Sequence, residues 1–156
     1  MPFSDRRRLP WLILVVDDDY GDQILIQEAL QASGICKQIQ IVSDGEEAME
    51  YLRGQGRYAA LGSCRRPDLI LLDLNMPRLG GKEVLAMIKA DQNFRSIPVV
   101  AFTTSGRQED ISQCYGLGVN SYVQKPVNFQ EFQRVLRRVE EYWLEISLPP
   151  PPPGVN

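Results

Sequence analysis

The chain has 156 residues, a formal net charge of −3, no histidine and three cysteines, Cys36, Cys64 and Cys114. One domain with a substantial core fits that length, and two ordinary domains do not. The absence of histidine and of any CxxC pair argues against zinc, haem and imidazole acid–base chemistry, and the mildly acidic balance offers no field for nucleic acid.

Residues 1–10, with Arg6-Arg7-Arg8, read as a flexible, solvated N-terminal tail. Trp11 to Val16 is apolar but stops at Asp17-Asp18-Asp19. Six residues are too short for a signal-peptide core of about 7–15 residues or a membrane span of about 20. A cytoplasmic protein with no membrane segment is expected. Leu12–Val16 is the first strand. Asp19 or Asp22 opens the first helix, Ile24, Leu25, Ala29 and Leu30 share one face of it, and Gly34 ends it. Gln38–Val42 alternates apolar and polar residues, as an edge strand does. Ser43 and Glu46 have capping-box spacing before Ala48, Met49 and Leu52. Arg53 to Pro67, with Gly54, Gly56 and Gly62, reads as a long exposed loop.

Leu69–Leu72 and Val99–Phe102 are apolar throughout, which predicts strands buried on both faces. Between them Gly81 leads into a helix carrying Val84, Leu85 and Ile88. Ser105 with Gln108 is a further capping-box candidate before Ile111. Ser121–Val123 is the fifth strand, and Asn128 with Glu131 caps the last helix. Pro149 to Pro153 favours an extended polyproline conformation, and residues 148–156 read as a disordered tail rather than a ligand for a proline-reading domain. Five β-α repeats predict an α/β fold: a doubly wound, five-stranded parallel sheet with helices on both faces, a three-layer sandwich in the flavodoxin-like order 2-1-3-4-5.

Ligands of such sheets collect at the carboxyl ends of the strands. Asp17-Asp18, Asp73, Thr103 and Lys125 all stand at strand ends. Three carboxylates in one crevice repel, so one is expected to have a raised pKa unless a hard divalent cation joins them. An acidic triplet that merely opens a helix is the plainer reading of Asp17-Asp18-Asp19, but Asp73 and Lys125 outweigh it. An ammonium at Lys125, held extended by Pro126, suits an oxyanion. A threonine hydroxyl donates to the same group, and the pattern alone does not choose between Thr103 and Thr104. Nucleophile, metal, ammonium and hydroxyl together are the inventory for phosphoryl transfer to aspartate.

At this point the chain resembles the receiver domain of two-component response regulators. The matching elements are Val15-Val16-Asp17-Asp18, Leu71-Leu72-Asp73-Leu74-Asn75-Met76-Pro77, Pro98 to Thr103, and Tyr122-Val123-Gln124-Lys125-Pro126. Their spacing selects Thr103, and the resemblance spans about residues 11–140. It implies a receiver domain over 11–147 in which Asp73 accepts the phosphoryl group. Asp18, Asp73 and the Asn75 carbonyl would hold Mg²⁺, with Asp17 acting through water. Thr103 and Lys125 would contact the phosphoryl group, and Tyr122 would be the aromatic switch. Gly80 departs from the family's usual acidic residue, which predicts a looser loop. Asn75 and Ser105 occupy positions that tune phosphate lifetime.

The long loop before Pro67 and the ending Glu140-Glu141-Tyr142-Trp143-Leu144-Glu145 look like the small receivers paired with cyanobacterial phytochromes. That likeness implies a bacteriophytochrome-type histidine kinase as phosphodonor. It also implies a stand-alone receiver that homodimerises through the face of the fourth helix, fifth strand and fifth helix. Tyr142, Trp143 and Ile146 are the interface candidates, lying where little of their own domain is expected to cover them. An aspartate-nucleophile phosphatase of the haloacid dehalogenase type would need an acid two residues after the nucleophile, where this chain has Asn75. A flavodoxin-like cofactor or pure docking protein would lack the phosphoacceptor set. No glycine-rich loop follows the first strand to bind a nucleotide.

Overall fold

The computed structural model describes residues 10–61, 65–151 and 153. The arginine cluster of the N-terminal tail, Gly62, Cys64 and most of the end of the proline-rich tail lie outside them. Five strands alternate with five helices: β1 (Trp11–Val16), α1 (Tyr20–Ala32), β2 (Lys37–Val42), α2 (Gly45–Arg53), β3 (Leu69–Leu72), α3 (Gly81–Ala90), β4 (Val99–Thr103), α4 (Gln108–Gly116), β5 (Ser121–Gln124) and α5 (Phe129–Glu141). All strand pairs are parallel and the sheet order is β2-β1-β3-β4-β5.

Strand alternation divides the core into two layers. Leu12, Leu14, Val16, Ile70, Leu72, Val99 and Ala101 point to the side of Met49, Leu85, Ile88 and Cys114. Ile13, Val15, Leu69, Leu71, Val100 and Phe102 point to the side of Ile26, Leu30, Phe132 and Leu136. Burial on both faces explains why β1, β3 and β4 carry no polar alternation. β2 is only partly buried, as an edge strand should be.

Several local expectations shift. β1 begins at Trp11, which pairs with Lys37, and β4 and β5 each run one residue further, because Thr103 pairs with Gln124. Asp19 rather than Asp22 caps α1, accepting from the Asp22 amide, and Gly34 follows the helix at φ 79°. The cap of α2 is Asp44, not Ser43. Asp44 accepts from the Glu47 amide at 2.8 Å, and the Glu47 carboxylate accepts from the Ser43 amide at 2.8 Å, so the capping pair is displaced by one residue. Ser105 does not cap α4, whose N-cap is Arg107; its hydroxyl donates to Asp110 instead.

The segment after α2 is not wholly irregular. A 3₁₀ helix spans Gly56–Leu61. Tyr58 packs edge-on against Tyr51 and donates to Glu47 at 2.7 Å.

The end of α5 departs most from the expected pattern. A π-helical turn, Tyr142–Ile146, extends it, closed by the Ser147 amide on the Tyr142 carbonyl at 2.7 Å. The buried row is Phe132, Leu136, Glu140 and Leu144, in steps of four. The wide turn carries Leu144 into the core, and Trp143 packs half-buried on the α1–α5 layer. Trp143 is therefore largely covered by its own domain, contrary to expectation. Tyr142 and Ile146 remain 49% and 64% exposed. Among the described residues no helix is long and apolar enough to cross a membrane.

Candidate functional site

Sheet register brings the strand-end residues together. Val16 lies beside Leu72, so Asp17 and Asp73 leave neighbouring strands at one level, and the Asp73 amide donates to the Val16 carbonyl at 2.9 Å. Across β4 and β5 the Lys125 amide donates to the Thr103 carbonyl at 2.7 Å. Thus the crevice is floored by backbone bonds between residues far apart in sequence, and the side chains have little freedom to drift.

The carboxylate oxygens of Asp17, Asp18 and Asp73 lie within 4.8 Å of one another. Asp17 and Asp73 are buried and Asp18 is exposed. Asp17 accepts from the Asp19 amide at 2.9 Å, while its carbonyl accepts from Gln23 at 2.6 Å. Lys125 is buried among the acids. Its Nζ donates to Asp17 and Asp22, each at 2.7 Å, and to Asp73 at 3.4 Å. Burial alone would lower the Lys125 pKa, but the hydrogen bonds to Asp17 and Asp22 and the nearby Asp73 raise it. Asp17 moves the other way for an acid. Its burial outweighs the hydrogen bond from Lys125 and lifts it from 3.8 to about 6. One ammonium shared by several carboxylates does not neutralise them all.

This is the raised acid expected of an uncompensated triad, and it is a donor set of hard oxygens suited to a divalent cation. The hydroxyl of Thr103 is buried with no hydrogen-bond partner among the described residues. A buried orphan hydroxyl at a strand end is costly unless a ligand oxygen meets it.

The loop from Asp73 to α3 is closed tightly despite Gly80. The Gly81 amide donates to the Leu74 carbonyl at 3.0 Å, and the Glu83 carboxylate accepts from the Gly80 amide at 3.2 Å. A Cβ on Gly81 would lie 2.2 Å from the Asp73 carbonyl oxygen, so only glycine allows this approach. The looser loop expected from Gly80 is therefore not what the contacts describe.

Tyr122 is half-buried, and its hydroxyl donates to the Ser105 carbonyl at 2.8 Å. Ser105 donates to Asp110, whose other oxygen accepts from Lys82 of α3 at 2.6 Å. The loop after Thr103 is thus tied to β5, α4 and α3 together.

Sequence reasoning treated Asp22 only as a helix opener and missed it as a partner of Lys125. The one available signal was its place in the first turn after Asp17-Asp18-Asp19. The interface candidates are remote from this crevice: Tyr142 and Trp143 stack edge-on at 5.0 Å beyond the end of α5.

Residues 13–137 match the response regulator receiver domain. The chain belongs to that family. The receiver is 42% identical to the response regulator Rcp1 of Synechocystis sp. over 147 residues, covering 94% of this chain and 98% of Rcp1. Its fold matches the phosphorylated cyanobacterial phytochrome response regulator RcpA with a TM-score of 0.86 and 43% identity, over 92% of this chain and 100% of that one. The Mn²⁺-bound form of Rcp1 matches with a TM-score of 0.84 and 41% identity, over 91% of this chain and 100% of that one. The protein is a signalling receiver of two-component systems, and its acidic cluster fits the divalent metal that receivers bind.

Proposed function

We propose that Asp73 is the phosphoacceptor of a receiver served by a histidine kinase. The observation that carries this reading is the juxtaposition of a buried Asp73 with the Lys125 ammonium and the Thr103 hydroxyl, which has no partner among the described residues. A carboxylate oxygen of Asp73 attacks phosphorus and forms the new O–P bond. The P–N bond to the kinase histidine breaks, and its electron pair stays on the imidazole, which takes a proton. With acetyl phosphate the bond broken is P–O and acetate leaves. Lys125 offsets charge on the transferring oxygens, and Thr103 donates to one of them once the group has arrived. Asp18, Asp73 and the Asn75 carbonyl would hold Mg²⁺, with Asp17 reaching it through water. When bound, the ion supplies neutralising charge to the crevice.

Tyr122 reads the state of the β4–α4 loop through the Ser105 carbonyl, which makes it the switch residue. Relatives described as phytochrome response regulators support a bacteriophytochrome-type kinase as donor, and hence a cytoplasmic, stand-alone receiver without nucleic-acid contacts. Exposed Tyr115, Tyr142 and Ile146 support a homodimer through the α4-β5-α5 face, with Trp143 buttressing Tyr142 from behind.

Incubation with Mg²⁺ and acetyl phosphate tests the central claim by intact mass. The wild type gains one acid-labile phosphoryl group, and Asp73→Asn gains none. A stoichiometric label persisting on Asp73→Asn overturns the assignment.

A further inference from the structure

The ammonium of Lys125 has three N–H donors, and each has a carboxylate within reach: Asp17 and Asp22 at 2.7 Å and Asp73 at 3.4 Å. We infer that Asp22 is a positioning residue that aims Lys125 during phosphoryl transfer, a role that rests on the reading of Asp73 above. Asp17 and Asp73 belong to the group whose oxygens converge as a cation would require, and Asp22 stands outside it. Asp22 is thus the one of the three that neither converges on a cation nor accepts the phosphoryl group.

Its place is set by a short chain of backbone bonds. Asp17 holds the Asp19 amide at 2.9 Å, and Asp19 holds the Asp22 amide at 3.0 Å. The cap of α1 and the lysine clamp are therefore one construction, joining residues 103 apart in sequence. Of the three contacts to Lys125, that to Asp73 is the longest and the weakest. It is the one exchanged when Asp73 is phosphorylated: that N–H turns to a phosphoryl oxygen while Asp17 and Asp22 keep the ammonium in place. Without Asp22 a single short anchor remains, and Lys125 loses its aim. Asp22 is 27% exposed at its side chain, so the fold tolerates its replacement.

The test is a cycle of Asp22→Asn, Lys125→Met and the double variant, with uptake from acetyl phosphate followed by intact mass. Asp22→Asn is expected to slow uptake about 5-fold in the wild-type background and to have no further effect when Lys125 is already methionine. An equal slowing in both backgrounds means a through-space or structural effect and overturns the proposal, as does unchanged or faster uptake in Asp22→Asn. If Lys125→Met takes up nothing measurable, the ¹⁵N signal of the Lys125 ammonium decides. It is expected in the wild type, where carboxylates slow its proton exchange, and lost in Asp22→Asn; its persistence there overturns the role. A wild type that takes no phosphoryl group overturns the reading of Asp73 itself, and this role with it.

Discussion

At the amino-terminal end of the sheet, opposite Asp73, the Lys37 ammonium lies 2.8 Å from Glu140, with the two side chains 4% and 0% exposed. Lys37 also donates to the Leu30 carbonyl and the Ser33 hydroxyl. Among the described residues neither Glu140 oxygen has a hydrogen-bond donor, and the Lys37 ammonium compensates the charge as an ion pair. Lys37→Met therefore strands a fully buried carboxylate, and the expected cost is about 3–5 kcal/mol. Glu140→Leu is expected to cost less, about 1–2 kcal/mol, because Lys37 keeps two acceptors and stands on an edge strand from which its stem can reach water. Leucine also continues the row Phe132, Leu136, Leu144. The double variant Lys37→Met/Glu140→Leu should return to within about 1 kcal/mol of the wild type or exceed it. Urea unfolding at pH 7, read by circular dichroism and by tryptophan emission, measures all three, with an unchanged m-value as the control for two-state behaviour. A loss below about 1 kcal/mol for Lys37→Met, or a double variant as weak as that single one, refutes the reasoning.

Gly81→Ala places a methyl 2.2 Å from the Asp73 carbonyl oxygen and 2.6 Å from the Leu74 Cα, both backbone atoms that cannot turn aside. A loss of about 2–3 kcal/mol is expected, with phosphoryl uptake reduced beyond what residual unfolding explains. The raised pKa of Asp17 sets a pH dependence. From pH 4 to pH 6 the folded state holds a proton that the unfolded chain has released, so the metal-free protein loses stability as pH rises through that window, by up to about 3 kcal/mol from this group. Mg²⁺ competes with that proton, so its stabilisation should grow between pH 5 and pH 7 and then level. Melting temperatures with Mg²⁺ and with chelator across that range check both signs, and a Mg²⁺ effect that is flat with pH contradicts the assignment.

The sheet was legible because β1, β3 and β4 are covered on both faces, which removes every polar residue from their interior. The crevice was legible for a related reason: Asp17, Asp73 and Thr103 are the first polar groups beyond buried runs, and Lys125 stands before Pro126 at the end of β5. What escaped depends on where helices lie in space. Asp22 meets Lys125 across 103 residues, and no local pattern encodes that. Glu140 turns inward to meet Lys37 of the distant β2, and its neighbours in the sequence carry no sign of that partner. The cap of α2 is Asp44, next to the expected Ser43, and only backbone geometry selects it. The π-turn brings Leu144 onto the buried row of Phe132, Leu136 and Glu140, a place that a regular 3.6-residue period does not anticipate.

The loop between Asp73 and α3 is fastened at both ends, and Met76 and Leu79 pack on the core between them. Asp73 and Leu74 are buried at one end and Gly81 at the other, while Asn75, Pro77 and Arg78 are exposed. Those exposed side chains can be exchanged without disturbing either anchor. On the reading of Asp73 proposed above, a lineage would retune how long the signal lasts by substitutions at Asn75 and its neighbours while the scaffold stays the same, so the clock of the switch would evolve separately from its frame.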